Sequence, residues 1–150
     1  MDTVLLSASA APVPDIVALA ASGDPGIVDI LGATGTGAFA VATTNVGASA
    51  SITVSADTGT TSLTSAAQIV EANLPVGITV CRTNPITGAC LDAPGGSVTT
   101  QINGGHTPTF AVFVKGNGVV PFDPAHNRIF VRFKDGNGVT RDSTSVAVRT

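Results

Sequence analysis

The sequence predicts an all-β fold, a sandwich of two antiparallel layers built from about eight or nine short strands. Three observations carry this. Charged residues make up only 11% of the 150 residues, against a usual ~25%. Glu71 is the only Glu, and long helices usually dress their surfaces with Glu and Lys. Several segments alternate apolar with polar or small residues at period two, the mark of a half-buried strand. Turn formers punctuate the chain between them, with 17 Gly and 9 Pro, and no helical stretches stand ready to connect parallel strands.

Residues 1–12 read as a tether or tail. They lack the basic start and full apolar core of a signal peptide. Short apolar runs at 13–20 and 26–31 flank Ser-Gly-Asp-Pro-Gly, a turn signal. A Gly-rich link, G-A-T-G-T-G at 32–37, then reads as a flexible connection. Residues 1–37 are therefore expected to form an N-terminal arm of edge strands, and 38–150 the sandwich proper. Within the arm, Val13, Ile16, Val17, Leu19, Ile27, Val28 and Ile30 are candidates to add a strand to a neighbouring copy.

Residues 38–44 alternate large and small, and Asn45-Val46-Gly47-Ala48 reverses the chain. The 51–56 stretch alternates again, with Ile52 and Val54 on one face, and Asp57-Thr58-Gly59 makes a turn. Residues 63–73 are ambiguous: two helical turns, a loop or an edge strand fit equally. Residues 76–82 form a strand leading into a cysteine loop, and Pro94-Gly95-Gly96 breaks the chain before a strand at 97–102. The densest β-formers are at 109–115. At 128–134, Ile129, Val131 and Phe133 face one way and Arg128, Phe130, Arg132 and Lys134 the other. Asp135-Gly136-Asn137-Gly138 is a hairpin turn. The 143–149 strand sets Thr144, Val146 and Val148 on one side. Short strands at this spacing point to an immunoglobulin-like sandwich.

Cys81 and Cys90 bracket Asn84, Pro85 and Gly88. A turn there brings the thiols together, and C-x8-C is neither a redox pair nor a metal set. The expectation is a disulfide and an oxidising compartment; the competing reading is two reduced, partly buried thiols. No run of 18 apolar residues is present, so no membrane insertion is expected. Net charge is −3, which argues against nucleic acid. Residues 1–80 hold six acids and no Lys or Arg, whereas 81–150 hold seven bases and four acids. The plain reading is uneven scatter; the sharper one is head-to-tail steering between copies.

The inventory for catalysis is thin. His106 and His126 lie in turns, and a Ser-His-Asp set from Asp123 and His126 would need a hydroxyl brought from elsewhere. Asp135 begins a weak likeness to a calcium loop, but Val146 stands where the closing Glu belongs. No enzyme activity, cofactor or metal is expected. The six Phe residues read mostly as core. Phe130, flanked by Arg128 and Arg132, is a candidate contact surface.

The runs F-A-V-A-T-T-N-V-G-A (39–48), S-I-T-V-S-A-D-T-G (51–59), I-N-G-G-H-T-P-T-F-A-V-F-V (102–114) and F-D-P-A-H-N-R-I-F-V-R-F-K-D (122–135) carry a resemblance. Over roughly 38–150 the chain resembles bacterial immunoglobulin-like modules of the CARDB or ASPM/SPD-2/Hydin-like type. The resemblance implies an exported, often tandem module that spaces or presents other domains. Its partners would be neighbouring copies or domains of the same protein, or a cell-surface protein or glycan. It carries over no catalytic residue. The 63–73 segment and the cysteine loop depart from the pattern.

Overall fold

In a computed structural model, residues 8–59, 63–64, 67–68 and 73–150 are described. All regular structure among them is β, with no helix. A four-stranded sheet has the order β1 (Ile16–Ala21), β3 (Thr36–Asn45), β9 (Thr109–Gly116), β7 (Val76–Thr83). Facing it is a five-stranded sheet in the order β2 (Ile27–Asp29), β11 (Thr140–Arg149), β10 (Arg128–Lys134), β4 (Ala50–Asp57), β8 (Ser97–Ile102). All pairings are antiparallel except β2 with β11, which is parallel. Of the ambiguous 63–73 segment, Leu63–Thr64 (β5) pairs with Ala67–Gln68 (β6) in a separate ladder. Residues 65–66 and 69–72 lie outside the described residues.

Alternation explains the layers. Successive strand residues point to opposite faces, and the inward set is the apolar one. Ile16, Phe39, Val41, Phe110, Val112, Val114 and Val80 from one sheet meet Ile52, Val54, Ile129, Val131, Phe133, Val146 and Val148 from the other, all buried. The inward and outward sets expected for β4, β10 and β11 hold. The Phe residues divide. Phe39, Phe110 and Phe133 are core. Phe113 and Phe130 occupy outward phases and are half-buried, and Phe122 is exposed in a loop.

The segment expected as an arm of edge strands does supply two edge strands, but as parts of the chain's own sandwich. Residues 8–15 lie outside any strand, but β1 completes one sheet and β2 joins the other. Ile16, Val28 and Ile30 are buried in the common core, and Val13 and Ile27 are half-buried. Only Val17 and Leu19 of the candidate residues face outward, from β1. The Gly-rich link is likewise not a loose hinge. Gly116 and Gly118 donate amides to the Gly35 and Ala33 carbonyls, which pins the link to the β9–β10 connection.

Four strands against three, β1-β3-β9-β7 over β11-β10-β4, is the arrangement of a constant-type immunoglobulin sandwich. Here β2 and β8 extend the smaller layer. The connectivity differs at one place. In a variable-type domain the strand added beside the third strand follows it directly. In this chain β7 intervenes, so β8 reaches its place beside β4 only after the chain has visited the opposite sheet.

Candidate contact surface

Arg128, Phe130 and Arg132 all project from the outer face of the five-stranded sheet, as their alternation requires. The structure brings them together but commits them to partners in the same chain. Arg128 Nε donates to Ser145 Oγ at 3.0 Å, and its other nitrogens reach the Ser145 and Pro124 carbonyls. Arg132 forms a two-point pair with Asp57, at 2.8 and 3.2 Å, and stacks 5.3 Å from the Phe130 ring centroid. Gly59, at φ +88°, lies against the Phe130 ring; a Cβ there would come within 2.9 Å of it. That conformation and that approach both require glycine. What remains open is a shallow groove lined by Pro124, Ala125, Arg128, Phe130 and Ser145.

The acidic first half and basic second half meet inside one molecule. Asp57 pairs with Arg132, and Asp29 and Asp24 pair with Arg149. Three of the six acids of the first half are thus paired with two of the seven bases of the second within one chain. Burial works against the charge on Asp57, but the Arg132 hydrogen bond and the Gly59 amide outweigh it and hold the carboxyl below its ordinary value. Asp29 is lowered chiefly by its hydrogen bond from Arg149, and Arg149 is raised by the same contact.

Asp135, read from sequence as a turn residue rather than a calcium ligand, anchors the β10–β11 hairpin. Its carboxylate accepts the Asn137 and Val139 amides at 2.9 and 3.0 Å and pairs with Arg141 at 2.6 Å. Burial again opposes the charge, and Arg141 with the two amides lowers the carboxyl overall. His126 Nδ1 lies 2.9 Å from Asp123, both side chains well exposed. The His126 hydrogen bond holds Asp123 below its ordinary value. Among the described residues no hydroxyl is bonded to that imidazole, and no cluster of three His, Cys, Asp or Glu is placed to hold a metal.

Since Asp57 and Asp135 titrate lower in the folded chain, their stabilisation is complete above the unfolded carboxylate value and is lost as pH falls through the folded one. Thermal midpoints should hold from pH 7 to about 5 and decline progressively below about 4. An Asp135→Asn variant should show a shallower acid decline; melts followed by circular dichroism measure both.

Cys81 and Cys90 form a disulfide with Cα atoms 5.7 Å apart. Such bonds persist in oxidising surroundings. Among the described residues no helix is long and apolar enough to cross a membrane. The bond closes a strap: residues 90–95 return along the outer edge of β7, where Thr83 bridges Cys90 and Val80 bridges Gly95.

Three residues of consequence were not singled out by their sequence. Asn45, fully buried, accepts the Asp15 and Gly47 amides and donates to the Ala48 and Ile102 carbonyls. It ties the entering chain, the β3–β4 turn and the end of β8 together. Asp142, also buried, accepts the Ala18 amide at 2.7 Å. Arg82 reaches from β7 to Thr100 Oγ1 on β8 at 3.1 Å, between the two layers. An N-x-G reversal was the one visible signal, and it marked a turn rather than this hub.

No protein-family model matches the chain, and no curated protein matches it.

Proposed function

We propose that this chain is a non-enzymatic structural or adhesive immunoglobulin-like module of an exported bacterial protein, placed where it transmits tension. The observation that carries this reading is the route of the chain. Ile16 lies opposite Asn45, at the end that holds the β3–β4, β8–β9 and β10–β11 connections. Arg149 and Thr150 lie at the other end, beside Asp29 and Val120. Copies or domains joined in series would therefore extend lengthwise. Pulling on the two ends loads β1 and β11 along their axes, so the ladder bonds are sheared together rather than unzipped one by one.

The low charge, the disulfide and the resemblance to tandem surface modules support the export half of the reading. The candidate cations are tied to their own chain, which favours a scaffold over a ligand site. Single-molecule stretching of a tandem of copies tests the proposal. Each copy should open in one discrete force peak. Reduction should lengthen each step by about 25 Å, the extended length of the loop between Cys81 and Cys90 less the 5.7 Å that the bond spans. A tandem that pays out smoothly, without peaks, would overturn the reading.

A further inference from the structure

A sandwich has four outer strand edges, and among the described residues three of these are met by other parts of the chain. On β1 the Ala18 amide is taken by the buried Asp142 carboxylate. Strand β2 is only three residues long and abuts β3, where a Cβ on Gly37 would meet the Asp29 carbonyl oxygen at 2.8 Å. Strand β7 carries the strap, with paired Val80–Gly95 backbone bonds at 2.7 and 3.1 Å and the Leu91 amide on the Arg82 carbonyl. Strand β8 closes the order of the five-stranded sheet beyond β4. Among the described residues no backbone bond is made to 97–101 from the side facing away from β4.

The strand itself carries none of the protections that a sequence can supply. Natural edges are blunted by charge, proline, bulges or brevity. Ser97-Val98-Thr99-Thr100-Gln101-Ile102 has no charge, no Pro and no Gly, and it pairs with β4 over all six residues without a register shift. We propose that the free edge of β8 is a self-association site, at which β8 of a second copy pairs antiparallel to join two five-stranded sheets into one.

The second copy is the occupant because the edge matches itself. A two-fold axis through Thr99 sets Thr99 against Thr99, Ser97 against Gln101 and Val98 against Thr100. An axis through Thr100 sets Thr99 against Gln101 and Val98 against Ile102. Either register keeps each face continuous and opposes no like charges. Asp57, the nearest formal charge on the outer face, stands on neighbouring β4, two positions beyond the Ser55 that faces Ser97, and is paired with Arg132; Lys134 stands on β10, two strands away, or about 10 Å. The Thr99 hydroxyl already bonds Thr53 across the β4–β8 pair at 2.8 Å, and the mate would prolong that row. Half-buried Val98 packs against the core at this rim, and the mate's strand would cover it. Edge pairing and the transmission of tension are independent, since either can hold without the other.

Sedimentation velocity of the wild-type chain from micromolar to millimolar concentration tests it. A reversible monomer–dimer equilibrium is expected. Thr99→Lys with Gln101→Lys places like charges opposite one another in both registers, and should leave a monomer with an unchanged melting profile. Mixing that variant with the Thr99→Glu, Gln101→Glu variant should restore a dimer that neither forms alone. Hydrogen exchange of the 97–101 amides in the wild type should slow as concentration rises, a readout that needs no substitution. A wild type that stays monomeric throughout, a dimer that survives the lysine pair, or exchange indifferent to concentration would each overturn the proposal.

Discussion

Replacing Phe133 by alanine is expected to destabilise the fold by about 3–5 kcal/mol, enough to unfold much of a marginal population. Phe133 on β10 and Phe110 on β9 belong to opposite sheets and are both fully buried. Their rings meet edge to face, with centroids 5.8 Å apart and planes at 68°. The contact therefore spans the two layers. Truncation leaves a void that neither sheet can close without breaking its own ladder, so the cavity cost adds to the lost transfer free energy. Phe122→Ala is the control. That ring is 56% exposed and carries the Arg149 guanidinium 5.1 Å from its centroid, so its loss should cost under about 1 kcal/mol. The chain has no Trp or Tyr, so urea titrations should be followed by far-ultraviolet circular dichroism. Equal midpoint shifts in the two variants would refute the interlayer account.

Removing the disulfide is the second large effect. With Cys81 and Cys90 nine positions apart, the chain-entropy model gives about 2.7 kcal/mol as an upper figure, or roughly 5–10 °C in melting temperature. The double variant Cys81→Ser, Cys90→Ser should show this drop. The structure adds a local expectation, because the bond holds the strap on β7. The Val80 and Gly95 amides, bonded to each other's carbonyls, should exchange faster in the variant by more than the global loss of stability accounts for. The Val112 amide in the middle of the sheet should slow or quicken only with that global term. Unchanged melting would mean that the strap is held by its backbone bonds alone.

Legibility in the sequence followed from whether a strand has one wet face. Strands β4, β10 and β11 do, so their alternation was plain and their inward residues were named correctly. Strand β1 does not read that way. Its outward Val17 and Leu19 lie beside the small outward side chains Ala40, Ala42 and Thr44 of β3, so Ile16-Val17-Ala18-Leu19-Ala20 is apolar on both faces. A run without period two looks like a spare arm, and the burial of Ile16 beneath β11 cannot be inferred from it. The intrachain pairs were hidden for a related reason: Asp57 finds Arg132 at a separation of 75 residues, and Asp29 finds Arg149 at 120. Asn45 and Asp142 act on partners 57 and 124 residues away, beyond any local pattern. The contact candidates Arg128, Phe130 and Arg132 were placed on the right face. Their engagement by Ser145, Pro124, Asp57 and Gly59 depends on cross-strand register, which the sequence alone does not disclose.

The final strand, β11, lies inside its sheet, between β2 and β10. Its Val146 and Val148 are needed to cover Ile16, Val41 and the rest of the core. The chain can therefore assemble neither a closed interior nor a finished five-stranded layer until the ten residues of β11 are in place. Contacts between such distant segments also form slowly. Closure of the interior is thus the final event of folding rather than its beginning, since the strand that seals it is threaded between two others.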